Sequence, residues 1–181
     1  MRRLPIVLSL LAISAPAGAH DRSWPGRKLA EALPEAASYT ARPHALTAEQ
    51  IAWAEKALGS PLRTEDRSPT FYIGLDAAGA AVGVVVFLDA DGVNGKVEMG
   101  DGLGTDGKLR HVVLFENAEP PAVGRPEFLT QFAGKAPGDM FMVGMDLTAP
   151  EGTEKSAQII ATAARRGALL AAAGLGLGAT K

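Results

Sequence analysis

Hydrophobic positions along this chain change their spacing three times. The first texture is an apolar run from about Leu4 to Ala15. The second is helical. In "LTAEQIAWAEKALGS", Ile51, Ala54 and Leu58 recur at three- and four-residue steps. Thr47 followed by Gln50 is a capping-box pattern, and Gly59 suits a helix stop. A helix is predicted over about 48–58. From Thr70 the texture is β. "TFYIGLD", "AVGVVVFL", "KVEMGDGLG" and "KLRHVVLFEN" read as four strands, parted by "AAGA", "DADGVNG" and "TDG". Asp-Gly between two β runs is a hairpin signal. "GDMFMVGMD" reads as a fifth strand.

Two helices complete the pattern. Pro126 starts a short one in "PEFLTQF". A long one runs from about Glu154 to Ala172, with Ile160, Ala163, Ala164, Gly167 and Leu170 near one face. Residues 20–46 carry Pro25, Pro34 and Pro43 and read as irregular, with a short helix near Lys28–Leu33. Strands in sequence with segregated helices give an α+β fold: an antiparallel β meander with flanking helices.

The first nineteen residues change how the rest is counted. Two arginines, the apolar run and the ending Ala17-Gly18-Ala19 form a secretory signal with an A-x-A cleavage site. The run is short for a bilayer span, which needs about 20 apolar residues. The expected organisation is a signal peptide over 1–19, an N-terminal extension with one helix over 20–68, and the main domain over 69–181. The expected location is exported: periplasmic or otherwise extracytoplasmic, with membrane association left open. Without the signal, 16 Lys and Arg face 20 Asp and Glu, a formal charge of −4. With no basic block, nucleic acid is not an expected partner. Zero cysteines exclude disulfides, thiolate metal sites, iron–sulfur clusters and covalently attached c-type haem. Redox chemistry here requires an acquired cofactor.

Most candidate motifs have a plainer reading. "DADGVNG" lacks the EF-hand ligand pattern and reads as a hairpin loop. His20 heads the chain after cleavage, but neither His44 nor His111 has a spacing that points at it. Met140, Met142 and Met145 offer thioethers that suit Cu(I), or pack in the core or against a bound ring. "MGDGLGTDG" leads into no helix and is not a phosphate fingerprint. No Ser–His–acid spacing is present, so no catalytic residue is assigned. Thr153 stands at the start of the long helix, after Gly152. It reads as a helix cap, or as a hydroxyl that carries a phosphoester beside free backbone amides.

The ordered segments "VNGKVEMGDGLGTDGKLRHVVLFENAE", "ENAEPPAVGRPEFLTQFAGK" and "GTEKSAQIIATAARRGAL" together resemble the FMN-binding domain family. Its best-known members are flavinylated subunits of the Rnf complex and of the sodium-translocating NADH:quinone reductase. The resemblance covers about Phe71 to Leu170. It implies FMN as cofactor, attached in that family through a threonine phosphoester by an exported flavin transferase. Thr153 matches that threonine, Gly152 precedes it, and Ser156 matches the motif's final serine. Glu119, Pro121 and Gly124 match a loop near the flavin. Gln131, Phe132, Gly134 and Lys135 match a segment read as structural. Phe128, Phe132, Met140 and Met142 are candidates to wall the ring or to fill the core. The motif departs from the family's Ser-Gly-Ala-Thr, reading Pro150-Glu151-Gly152-Thr153, and has Lys155 where serine or threonine is usual. FMN is therefore expected either covalently at Thr153 or non-covalently. The implied role is electron transfer with a redox partner protein, membrane-bound or not, rather than self-standing catalysis. The alternatives are a flavin-free accessory subunit of a redox complex and a periplasmic copper-handling protein.

Overall fold

A computed structural model describes residues 25–178. The signal segment, His20 and the terminal Thr180 lie outside them. Helix α1 (Gly26–Ala32) is followed by strand β1 (Ser38–Pro43), helix α2 (Ala48–Leu58), and strands β2 (Thr70–Leu75), β3 (Ala81–Asp91), β4 (Lys96–Gly104) and β5 (Leu109–Asn117). A short α3 (Pro126–Leu129) and a long α4 (Glu154–Leu175) close the order. The five strands form one antiparallel sheet in chain order. The α+β meander expected from the pattern is the observed fold.

One strand is not where the sequence placed it. Residues 38–43, read as irregular, pair with β2 from Ser38↔Leu75 to Pro43↔Thr70. Pro43 is tolerated because β1 lies at the sheet edge, where its missing N–H interrupts no second ladder. The segment read as an N-terminal extension therefore supplies both the edge strand and α2, which packs on α4. Conversely, "GDMFMVGMD" is not a strand. Phe141 takes a left-handed backbone at φ 53° and Gly144 one at φ 84°, which ends any extended run. The Asp146 carboxylate accepts from the amides of Phe141 (3.0 Å) and Met142 (2.6 Å), winding the segment into a compact loop.

Helices cover both faces of the sheet, which explains the near-continuous apolar run of β3. Val84, Val86 and Leu88 join the core under α2 and α4, while Val85 joins Leu29, Ala32 and Leu33 of the α1 layer. Glycines in β4 permit the α1 approach: a Cβ at Gly102 would collide with the carbonyl of Ala32. That is the role of the glycine-rich stretch. Helix α2 begins as predicted, with the Gln50 amide on Thr47 Oγ1 (3.2 Å) and the Thr47 amide on Gln50 Oε1 (2.8 Å). Gln50 Nε2 also donates to the Ala173 carbonyl (2.6 Å), tying α2 to the end of α4. Helix α4 buries Ile160, Ala164, Ala168 and Leu170 against the sheet, its small residues allowing close contact.

Candidate functional site

Three segments meet at the N-terminus of α4. The first is the turn that enters the helix. Gly152 adopts φ 72°, a conformation glycine takes without strain, and the space where its Cβ would lie is open. Thr153 is buried at 7% exposure. Its hydroxyl does not cap the helix; it turns back and donates to the Pro150 carbonyl (2.7 Å). The capping role expected of Thr153 is thus corrected: at φ −120° and ψ 17° the residue lies outside the extended backbone that cap side chains favour. The Ala157 amide already closes on the Thr153 carbonyl (2.8 Å). The amides of Glu154, Lys155 and Ser156 precede it and have no acceptor within the helix.

The second segment is the loop after β5. Glu119 is buried at 5% exposure, yet both carboxylate oxygens are used. Oε1 accepts from the Asn94 amide (2.8 Å), and Oε2 accepts from the Ser156 hydroxyl. The Asn117 side chain accepts from the Glu119 amide (3.1 Å). A Cβ at Gly92 would strike the Glu119 carboxylate, so the β3–β4 hairpin closes tightly on it. Two residues matched to distant motifs, Glu119 and Ser156, are in direct contact. Pro121 and Gly124 form the exposed 3-10 turn that follows, anchored by buried Val123.

The third segment is the loop over residues 138–148. Gln158 of α4 pins it, accepting from the Val143 amide (2.9 Å) and donating to the Phe141 carbonyl (3.1 Å). Lys135 Nζ reaches Asp146 at 2.7 Å. Burial pushes the Asp146 carboxyl up, but the Lys135 ammonium and the Met142 and Phe141 amides outweigh it and hold it below its ordinary range. Gln131 exchanges hydrogen bonds with the Thr148 backbone (2.8 and 3.0 Å) and so braces this loop. Phe128 and Phe132 lie in the core and cannot wall a ligand. Met142, with Met140 and Met145, is exposed. Met140 and Met142 do not share a strand face, because the loop is wound.

Beside α4 lies a cavity of about 510 Å³ that the sequence did not reveal. Lys155, Ile159, Thr162 and Arg166 line it from the helix, and Arg63 and Val93 face them. Arg63 pairs with Asp91 (2.8 Å) and Glu65 (2.5 Å), while Arg166 pairs with Asp66 (3.1 Å) and donates to the Asp89 carbonyl. These residues come from segments up to a hundred positions apart, and no local motif links them. On β4, against Gly167 of α4, Asp101 is fully buried, and neither carboxylate oxygen has a hydrogen-bond partner. Desolvation pushes its carboxyl well above the ordinary value, against the pull of Arg166. One signal was legible: Asp101 sits in the middle of an apolar alternation, between Met99 and Leu103.

The other groups raised by the sequence stay apart. His44 leans on Phe71 and approaches Gln50 (3.4 Å), and His111 faces Glu35 at 3.8 Å on the surface. Among the described residues no three His, Asp or Glu side chains gather around a metal-sized position, and no helix is long and apolar enough to cross a membrane.

An antiparallel five-stranded sheet covered on both faces, with a polar cluster at the start of its last helix, defines the structural class. NqrC from Shewanella oneidensis has a similar crystal structure: TM-score 0.54, 16% sequence identity, 79% of this chain and 82% of that chain covered. This likeness shows the fold. No protein-family profile matches the chain, and no curated protein sequence does.

The residues present fit an FMN phosphate. Open amides at the helix start supply hydrogen bonds, the helix dipole favours an anion, and Gly152 leaves room for it. Lys155 adds one positive charge, set against the two exposed carboxylates of Glu151 and Glu154. A covalent ester requires the Thr153 hydroxyl to leave the Pro150 carbonyl first.

Proposed function

We propose that this chain is an exported FMN-binding electron-transfer protein whose flavin phosphate sits at the N-terminus of α4. The observation that carries the reading is the joining of Glu119 and Ser156 one turn from Thr153. The sequence resemblance assigned these residues to one site, although they are 37 positions apart. The fold shared with NqrC supports it. FMN, when bound, supplies one- and two-electron chemistry. The protein's own residues have four tasks. The Glu154, Lys155 and Ser156 amides hold the phosphate. Glu119 fixes Ser156 and the β3–β4 hairpin. Gln158 holds the Met142 loop in place. Gly152 gives access. The resemblance assigns Pro121, Gly124 and Met142 to the same site, and all three are exposed.

Attachment at Thr153 would be made by a flavin transferase, and the electrons would pass to a redox partner protein, membrane-bound or free. The test is intact mass and visible spectrum of the protein exported alongside a flavin transferase, with Thr153→Ala beside it. A mass gain of one FMN phosphoester, lost in the variant, is the covalent outcome. A yellow protein of unchanged mass is the non-covalent outcome. A colourless, unmodified protein overturns the reading and favours a flavin-free accessory subunit. Exposure of Met140, Met142 and Met145 would then make Cu(I) titration the next measurement.

A further inference from the structure

The β3–β4 loop carries reactive chemistry that the fold sets against the buried Glu119. The sequence holds two asparagines, Asn94 and Asn117. Asn94 precedes Gly95, whereas Asn117 precedes Ala118. The side-chain amide of an asparagine is open to attack by the backbone nitrogen of the next residue, and a glycine there leaves that nitrogen unhindered. Gly95 adopts φ 145°, where a side chain would be strained, so the turn itself calls for glycine. Both Asn94 and Gly95 are exposed. Among the described residues no acceptor holds the Gly95 amide, while its carbonyl accepts from the Gly92 amide (2.8 Å) and closes the loop. Asn117 is placed differently: it ends β5, its side-chain oxygen is held by the Glu119 amide (3.1 Å), and a methyl group follows it in the chain.

We propose that Asn94 is a site of spontaneous deamidation and isomerisation, and that this modification loosens the Glu119 joint. The Gly95 nitrogen gives its proton to hydroxide and attacks Asn94 Cγ. A nitrogen–carbon bond forms, the Cγ–Nδ2 bond breaks, and Nδ2 leaves as ammonia with a proton from water. Water then opens the cyclic imide at one carbonyl or the other, giving aspartate or isoaspartate. The balance is asparagine and water to acid and ammonia, with no change of oxidation state.

One hydrogen bond carries the consequence to the candidate site. The Asn94 amide donates to Glu119 Oε1 (2.8 Å), and Glu119 Oε2 accepts from the Ser156 hydroxyl. Deamidation sets a new carboxylate beside a buried one, and like charges repel. Isoaspartate also adds a methylene to the main chain inside the loop that the Gly92–Gly95 bond closes, which shifts its register. The step goes beyond the function proposed above, and neither half of it needs a bound flavin.

The test is to age the full chain at about 37 °C and about pH 8.5, with a portion held at about pH 6, and to follow both asparagines by peptide mapping. Hydrogen exchange of the β3–β4 loop and of the first turn of α4 is then compared between aged and fresh protein. The expected result is amide loss at Asn94 about tenfold faster than at Asn117, slower at the lower pH, with exchange about tenfold faster at both segments after ageing. Asn94→Gln, whose longer side chain disfavours ring closure, should age without change in exchange. Asn94→Asp carries the charge from the start and should exchange fast when fresh, so a poorly folded glutamine variant does not leave the question open. Asn94 lost no faster than Asn117 overturns the proposal. Asn94 lost with unchanged exchange at the first turn of α4 overturns its effect on the joint.

Discussion

Glu119 and Asp101 are both buried acids, and their surroundings are opposite. Glu119 has a partner on each carboxylate oxygen: the Asn94 amide and the Ser156 hydroxyl. Asp101 has none, lying between β4 and the backbone of α4 at Gly167. Burying a polar group costs little when its hydrogen bonds are replaced, and roughly 1–3 kcal/mol when they are not. Glu119 therefore acts as a joint between three segments. Asp101 is a local weakness in the sheet–helix interface, accommodated because Gly167 has no side chain. The first carboxylate joins the segments of the candidate site; the second is a source of pH-dependent stability where β4 meets α4.

The comparison is tested most sharply at Glu119. Glu119→Ala leaves the Asn94 amide and the Ser156 hydroxyl without their acceptor and opens a gap beneath the hairpin. A stability loss of about 3 kcal/mol is expected, measured by urea unfolding. A loss below about 1 kcal/mol would mean that the joint is not structural.

Gly167→Ala comes next. Its Cβ would overlap Asp101 Oδ2, so a loss of about 1–2 kcal/mol is expected despite the better helix propensity of alanine. In the Asp101→Ala background the same change should cost less, the remaining close contact being Leu88 Cδ1, which can move into the vacated space. Additive losses in the double mutant would disprove contact between the two positions.

The pH response is a third, smaller effect. Asp101 binds its proton more tightly when folded than its ordinary value of 3.8 describes, because burial disfavours the anion. The folded state then holds more protons than the unfolded chain above that value. Stability must fall as pH rises from about 4 toward the raised folded value. The groups facing Asp101 include Arg166 on α4, whose charge opposes the shift, and the uncharged Leu88 on β3. Asp101→Asn should flatten this decline above about pH 4 in thermal melts. Parallel curves for both proteins would assign the slope to other groups, Asp66 first among them, since burial raises it too against Arg166.

The smallest effect is expected at Thr153. Since its hydroxyl does not cap α4, Thr153→Ala removes only the bond to the Pro150 carbonyl, and about 1 kcal/mol or less should be lost. A cost near 2 kcal/mol would restore the capping role.

What could be read along the chain was local. The capping box at Thr47 and Gln50, the Gly59 stop, four of the five strands and the start of α4 all come from spacing and turn chemistry, which act over a few residues. Two errors share one cause. The apolar stretch in Gly138 to Asp146 reads like a strand, yet the Asp146 carboxylate gathers backbone amides and Lys135 and winds it up. Residues 38–43 show no strong pattern, yet the free edge of β2 recruits them. In each case a long-range partner outweighs a weak local preference.

At the site the division is similar. Sequence alone determined the α+β meander and the absence of cysteine chemistry, which follow from period and residue type, and a family resemblance in its motifs made Thr153, Ser156 and Glu119 candidates. Only the tertiary structure decided that Glu119 touches Ser156, that Thr153 turns away from its helix, that Asp101 lies unpartnered beneath Gly167, and that Arg63 and Arg166 border one groove. These depend on how the sheet and α4 pack, and packing brings together residues whose separation along the chain carries no periodic signal.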